Sequence, residues 1–261
     1  MGVRHRRLGL FLALPLVGLA AGTGTIAHEA TARHPVRGEQ RPPSEAPRCR
    51  AGTVRLGGAR VTVAAVVRSH VSAYRRPGAR PFARFGRVNQ NGFPTVFRVL
   101  TALRGPDCRP RWYRVQLPIK PNGITAYVRA SAVKTARVRG RVLIDVSAKR
   151  LTLFRSGRPV LRTTVAVGSS ATPTPIGLYY VNQRLIPSDP NGPFGPGAIG
   201  ISAYSTVLTG WTQGGPVAIH GTNEPWSIGR AVSNGCIRVR NVVFRRLFAA
   251  TPAGTPVVIR R

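Results

Sequence analysis

Acidic side chains are almost missing from this chain. Its 261 residues hold seven Asp and Glu against 40 Lys and Arg, a formal net charge of +33. Beyond residue 140 only Asp145, Asp189 and Glu224 remain, too few and too far apart for a carboxylate-built metal site or the paired acids of a glycosidase. Lysine is scarce as well, with Lys120, Lys134 and Lys149 alone, so arginine supplies the other 37 basic residues. With Glu and Lys both rare, and with 29 glycines and 23 prolines, the composition favours strands and turns over helical bundles. No phosphate-cradling glycine loop, nucleic-acid-binding motif or internal repeat is present. The basic residues are scattered rather than gathered on one predicted helix, so nucleic acid is not an expected partner. Such a charge suits anionic surroundings; it also suits a GC-rich coding sequence. A hydrophobic fraction of 43% still allows a real core.

Long apolar runs are missing too, apart from one at the start. Arg4, Arg6 and Arg7 precede the apolar stretch Leu8 to Ala21, which Pro15 interrupts, and small residues around Thr25–Ile26–Ala27 offer a cleavage site. Residues 1–27 therefore read as a secretory signal peptide, with Arg6–Arg7 a twin-arginine hint. An uncleaved anchor over Leu8 to Ala27 is the competing reading. No cysteine lies nearby for lipid attachment, and no stable membrane insertion is expected after cleavage. Export changes the meaning of the three cysteines. Cys49 and Cys108 are a possible disulfide in an oxidising compartment, which leaves Cys236 as a lone thiol with a job to do.

Residues 28–49, rich in Arg, Pro and Glu, read as a flexible linker. Residues 50–136 read as a small β module: strands at Val61–Val67, Val96–Leu100, Trp112–Leu117 and Ala126–Arg129, with a Pro121–Asn122–Gly123 turn, suggest a small barrel. Residues 137–261 form a second β-rich unit. Its expected strands are Val142–Val146, Leu151–Phe154, Arg162–Val167, Gly177–Val181, Pro216–Ile219 and Val257–Ile259. Thr172–Pro173–Thr174–Pro175 should make a rigid turn. Pro187 to Gly200, with four prolines and four glycines, should be a surface loop able to act as a flap. A single short helix is expected at Val242 to Ala249, capped by Asn241.

The chemistry concentrates in HGTNEPWSIGRAVSNGCIRVRN, where His220 and Cys236 stand sixteen positions apart, each beside a glycine. His5 falls in the targeting segment, His28 and His34 in the polar stretch after it, and His70 reads as a surface residue. Only His220 has a cysteine nearby. A thiol is a weak nucleophile until it ionises, and a neighbouring imidazole can take its proton and hold the thiolate as an ion pair. Covalent catalysis by Cys236 with His220 as base is the first hypothesis. Trp211, Tyr204 and Trp226 are candidates for a substrate groove, and Glu224 reads as a structural member of its turn.

Residues 140–260 resemble the L,D-transpeptidase (YkuD) catalytic domain. The likeness rests on VLIDVSAKRLTLFRSGRPV, TPTPIGLYYV, IHGTNEP, SNGCIRV and GTPVVI, in that order. The segment WYRVQLPIKPNGITAYVRASAV is similar to bacterial SH3-like modules, so the whole reads as mainly β: an SH3-like module, then the catalytic domain with its C-terminal helix. The resemblance implies Cys236 as nucleophile and His220 as general base, with the Gly221 carbonyl orienting the imidazole. It also implies Ser233 fixing the loop and N–H groups around Gly235 and Cys236 as an oxyanion hole. Arg238 would hold the loop or face a substrate carboxylate. Many members have a histidine where this chain has Asn234, which can hydrogen-bond but cannot exchange a proton near neutral pH. The implied activity is peptidoglycan cross-linking between third-position stem residues through a Cys236 thioester, with no metal or other cofactor. The alternatives are an L,D-carboxypeptidase, anchoring of a protein amine, and an inactive arginine-rich wall-binding protein. Stem peptides are the implied partners. Anionic wall polymers are another, since residues 1–140 carry +22 and residues 141–261 only +11.

Overall fold

In a computed structural model, residues 51–261 are described except residues 209 and 211. The expected signal peptide and linker lie outside the described residues, as do Trp211 and the Cys49 end of the expected bridge to Cys108. Eight strands make a first sheet: β1 Gly52–Arg55, β2 Thr62–Val67, β3 His70–Tyr74, β4 Pro81–Gly86, β5 Val96–Arg104, β6 Pro110–Gln116, β7 Thr125–Arg129 and β8 Val133–Val138. Its order is β4-β3-β7-β6-β5-β2-β8, with β1 beside β5, and every pairing is antiparallel. Arg68 and Ser69 alone join β2, next to one end of that order, to β3, next to the other. Two residues span so little distance that the sheet must curl round its core into a partly open barrel. The side chains that alternate inward, Phe97, Val99, Val115 and Val128, are fully or almost fully buried there, and Phe85 meets Phe97 edge to face at 5.1 Å.

The second sheet is built from β9 Gly140–Asp145, β10 Arg150–Arg155, β11 Arg158–Thr164, β13 Gly177–Leu185, β14 Ala198–Tyr204, β15 Pro216–His220, β17 Ile237–Arg238 and β18 Pro256–Arg260, with β12 Val167–Gly168 and β16 Ala231–Ser233 forming a separate parallel pair. Its order is β11-β10-β9-β18-β13-β14-β15-β17. Among the described residues the one α-helix, α1 (Asn241–Ala250), puts Phe244 and Leu247 into the core of this sheet. Mainly β with a single short C-terminal helix is thus the observed class, and among the described residues no helix is long and apolar enough to cross a membrane.

The two sheets are stitched together by side chains. Gln116 donates to the Leu178 carbonyl (2.6 Å), the Tyr204 hydroxyl donates to the Pro118 carbonyl (2.7 Å), and the Asn122 amide bonds both the N–H and the C=O of Tyr204 (2.9 and 2.8 Å). Gly254, at φ +86°, lies against Ala64 of β2.

Three expectations need correction. The stretch Pro187 to Gly200 is not loop throughout, because β14 begins at Ala198 and Ala198, Ile199 and Gly200 are buried. Gly200 is a strand glycine of the close-approach kind: a Cβ there would lie 2.4 Å from Gln183 Cγ. Arg162–Val167 is not one strand. β11 ends at Thr164, and Val167 pairs with β16 instead. Asn241 does not cap α1. Its Oδ1 accepts from Thr222 N–H at 2.8 Å, which ties the helix start to the loop after β15.

The packing of Gly254 gives a direct test. Gly254→Ala would place a methyl 2.3 Å from the Ala64 Cβ on a backbone at positive φ. It should lose about 2–4 kcal/mol in urea unfolding. Gly78→Ala, also at positive φ but with nothing within 4 Å, should lose only about 1 kcal/mol. Equal losses would mean that the sheets do not press on each other at Gly254.

Candidate active site

Strand β15 alternates. Val217 and Ile219 point into the core while Ala218 and His220 face the other way. Strand β17 runs parallel beside it, with Ile219 opposite Ile237 and His220 opposite Arg238. This pairing sets Cys236, the residue just before β17, against β15, where Ala218 N–H points at Cys236 Sγ (3.4 Å). A cavity of about 440 Å³ opens here, and His220, Ser233, Asn234, Cys236 and Arg238 all line it. Gly221 and Gly235 lie behind this wall and act through their backbones.

His220 Nδ1 is 2.5 Å from the Gly221 carbonyl oxygen. A carbonyl only accepts, so Nδ1 carries the hydrogen of the neutral ring and Nε2 is left bare. Burial pushes the His220 pKa down to about 4; the bond to Gly221 opposes this shift and the Arg238 charge adds to it. The Phe194 ring, from the 187–197 loop, meets the imidazole edge to face at 5.0 Å. Cys236 keeps some surface toward the cavity. Its thiol is nonetheless pushed up by burial, which outweighs the opposing pull of Ala218 N–H and of Arg238. Burial thus favours the neutral thiol and imidazole over the thiolate–imidazolium pair expected from sequence. Both shifts have the same origin, because burial disfavours each charged form.

The loop carrying the thiol is pinned from below. Ser233 Oγ donates to the Cys236 carbonyl (2.6 Å) and accepts from Gly235 N–H (3.2 Å). The Gly235 N–H is thus committed and is not available to an oxyanion, which corrects the expectation for that group. Thr172 Oγ1 donates to the Ser233 carbonyl (2.9 Å) and Thr174 Oγ1 to the Gly235 carbonyl (3.0 Å), while Gly168 N–H donates to Thr174 Oγ1 (2.8 Å). No side chain fits at Gly168, where a Cβ would meet the Thr172 carbonyl oxygen at 2.3 Å. Sequence reasoning read the Thr-Pro-Thr-Pro stretch as a turn only. No local feature of that stretch signals that Thr174, buried in the structure, supports the thiol loop.

Arg238 is ion-paired with Glu224, so Glu224 is a counter-ion as well as a turn residue. Glu224 is itself held by Thr222 Oγ1, which accepts from its N–H, and by the Ser227 hydroxyl, which donates to its carbonyl. Gly221 is crowded: a Cβ there would come within 2.5 Å of Asn241 Oδ1 and 2.6 Å of Pro196 Cδ. The helix start and the 187–197 loop therefore lock the carbonyl that orients His220. Trp226 is 55% exposed under Arg230 and does not line the cavity, Tyr204 lines a neighbouring one, and His70 is exposed. Among the described residues no His, Cys, Asp and Glu side chains gather in a group that could hold a metal ion.

The first sheet also reaches this cavity, which sequence reasoning missed. Asn89 and Asn91 each donate to Gln183 Oε1 at 2.9 Å, and Gln213 Nε2 donates to Asn91 Oδ1 at 2.9 Å. Asn91, Gln183 and Gln213 thus form a wall of amides in the cavity that Asn234 also lines.

Burial of neutral His220 has a pH consequence. The folded state binds this proton more weakly than the unfolded chain does, so stability present above pH 6.5 is lost as pH falls toward 4. The loss should be on the order of 3 kcal/mol. Urea unfolding of wild type and His220→Gln across this window should show a smaller acid loss in the variant. Parallel pH profiles would mean that His220 is not buried neutral.

Residues 139–259 match the family model described as the L,D-transpeptidase catalytic domain. YkuD of Bacillus subtilis (strain 168), an L,D-transpeptidase by name, is 40% identical over 120 residues, covering 46% of this chain and 65% of that protein. ErfK/SrfK of Salmonella typhimurium is 27% identical over 172 residues, covering 56% of this chain and 52% of its own. The chain thus spans less than two thirds of the length of these relatives. The solved structure of Bdellovibrio bacteriovorus Bd1075 covers 47% of this chain and 48% of its own at 24% identity and a TM-score of 0.38, a likeness too slight to build on. Residues 139–259 thus carry the L,D-transpeptidase (YkuD) catalytic domain.

Proposed function

We propose that this chain is an exported, wall-associated peptidoglycan L,D-transpeptidase that works through a Cys236 thioester. One observation carries the reading: the Gly221 carbonyl fixes His220 as the Nδ1–H tautomer in the same cavity as the Cys236 thiol. Bare Nε2 takes the thiol proton as sulfur attacks the carbonyl of the third stem residue in a tetrapeptide donor. The resulting oxyanion faces Cys236 N–H, since that of Gly235 is committed to Ser233. The imidazolium returns the proton to the departing D-alanine amine, leaving the thioester. The side-chain amine of a second stem then attacks the thioester and loses its proton to His220. The thiol is restored and the two third-position residues are joined. Because thiol and imidazole both rest neutral, proton transfer accompanies attack, and idle enzyme exposes little thiolate to oxidants.

Asn234, in the same cavity as the amide wall, binds substrate and moves no proton. Residues 137–261 are the catalytic domain and residues 50–136 an accessory module that also walls the cavity. Residues 1–27 are the signal peptide and residues 28–49 the linker.

The test is mass spectrometry of the purified chain incubated with a diaminopimelate-containing tetrapeptide. Stem dimer and free D-alanine are expected; tripeptide alone would mean a carboxypeptidase, and no covalent adduct on Cys236 with substrate or a carbapenem would sink the enzyme reading. His220→Ala and Cys236→Ser should each lose on the order of 10³-fold or more, against less than about tenfold for Asn234→Ala. Equal large losses at His220 and Asn234 would overturn the assignment of the base. The acid limb of kcat/KM should fall near pH 4, following His220.

A further inference from the structure

Away from the Cys236 cavity, a second cleft of about 580 Å³ lies where β5 and β6 of the first sheet face β9 and β18 of the second. Arg55, Arg60, Arg98, Arg114 and Arg141 line it, and no carboxylate does. The described acids are all engaged elsewhere: Asp107 with Arg111, Asp145 with Arg260, Glu224 with Arg238, and Asp189 with the Asn191 N–H. The Nε atoms of Arg98 and Arg141 are buried and have no hydrogen-bond partner. The neighbours of these arginines are neutral: Arg114 donates to the Thr125 hydroxyl at 3.1 Å, and the Arg141 guanidinium lies 4.6 Å from the centre of the Phe154 ring. Burial also holds the Arg98 pKa below the usual arginine value.

Taking a cation out of water without a partner is costly, and five cations facing one space repel one another. A chain this basic has arginines almost everywhere on its surface, but surface arginines keep their water. Arg98 and Arg141 have given up water at Nε and found no acceptor in the protein, as have Arg104 and Arg184 elsewhere. What sets the cleft apart is that Arg98 and Arg141, both part-exposed, line it with three more arginines and no carboxylate, so an anion there would meet their outer nitrogens. Guanidinium forks meet phosphate oxygens two at a time, and a tetrahedral phosphate can serve several forks from different directions, where a flat carboxylate serves fewer. The cleft is also much larger than one phosphate ion, and exposed Arg55 and Arg60 continue the positive surface around it.

We propose that this cleft binds a phosphodiester polymer of the polyol-phosphate kind and holds the enzyme to a wall that contains it. The choice of a wall polymer rests on the cell-wall reading above. The cleft shares no lining residue with the Cys236 cavity, so binding and turnover can be measured apart. Arg98 and Arg141 grip the phosphates, and the other three arginines steer the chain in.

The test titrates the full chain against labelled poly(glycerol phosphate) at one fixed salt concentration. Arg98→Gln/Arg141→Gln should weaken binding by more than about tenfold. Arg245→Gln/Arg246→Gln, which removes the same charge from the exposed face of α1, should change it by less than about threefold. Turnover of a soluble stem peptide should be the same in both doubles. A chain that binds polymer but turns over no peptide would leave this site standing while the enzyme reading falls. Equal weakening in the two doubles would overturn the site. So would equal affinity for polyglutamate, tighter binding of single-stranded DNA, or displacement by inorganic phosphate at matched phosphate concentration. Arg98→Met guards against a folding artefact. It should raise the thermal midpoint, by removing a part-buried charge with no partner at Nε, while lowering polymer affinity; a lower midpoint together with unchanged affinity would make Arg98 structural and overturn the proposal.

Discussion

The bond from His220 Nδ1 to the Gly221 carbonyl sets the terms for the site. It decides which ring nitrogen is bare, and it does so with a backbone acceptor rather than a buried acid. A carboxylate in that place would favour the imidazolium; a carbonyl orients the ring without adding a charge. The arrangement works only if the carbonyl itself cannot move. Gly221 is held by its N–H to the Gly197 carbonyl and is crowded by Asn241 and Pro196, so a helix start, a loop and a strand end converge on one peptide. In a chain so poor in acids, positioning by backbone groups is consistent with the rest of the site.

Cys236 is held in the same manner. Its loop hangs from hydroxyls, Ser233 within it and Thr172 and Thr174 below it, and each hydroxyl satisfies backbone groups that a glycine-rich turn would otherwise leave unpaired. The resulting loop is held by hydrogen bonds on both sides, and the charge of Arg238 at the site is balanced by Glu224. The first sheet completes the site by adding Asn89 and Asn91 to an amide cluster with Gln183 and Gln213. Among the described residues Arg238 is the one arginine that lines this cavity, and five arginines gather around the other cleft.

Much of this was legible in the sequence where chemistry is local. The strand Pro216–His220 and its delivery of His220, the short amphipathic helix, and the pairing of His220 with Cys236 follow from alternation, from spacing and from the scarcity of other histidines. What stayed hidden depends on contacts between residues distant in sequence. Asn241 looked like a helix cap because a cap is the local use of asparagine at a helix start; its partner Thr222 is nineteen residues away. Gly200 looked like a loop residue because its reason for being glycine, the Gln183 side chain, lies on the neighbouring strand. The preference of the Cys/His pair for its neutral form was invisible because it comes from burial, which no spacing of two residues reports. The amide wall from Asn89 and Asn91 was equally beyond reach, since it exists only once the two sheets dock.

The central claim is that His220 rests neutral as the Nδ1–H tautomer and titrates far below an ordinary histidine. Nitrogen-15 NMR of His220 in the intact chain, followed from neutral to acid pH, reads this directly. The account predicts a protonated Nδ1 and a bare Nε2 at neutral pH, with a single transition near pH 4. An imidazolium at neutral pH, or a neutral ring with its hydrogen on Nε2, would contradict it.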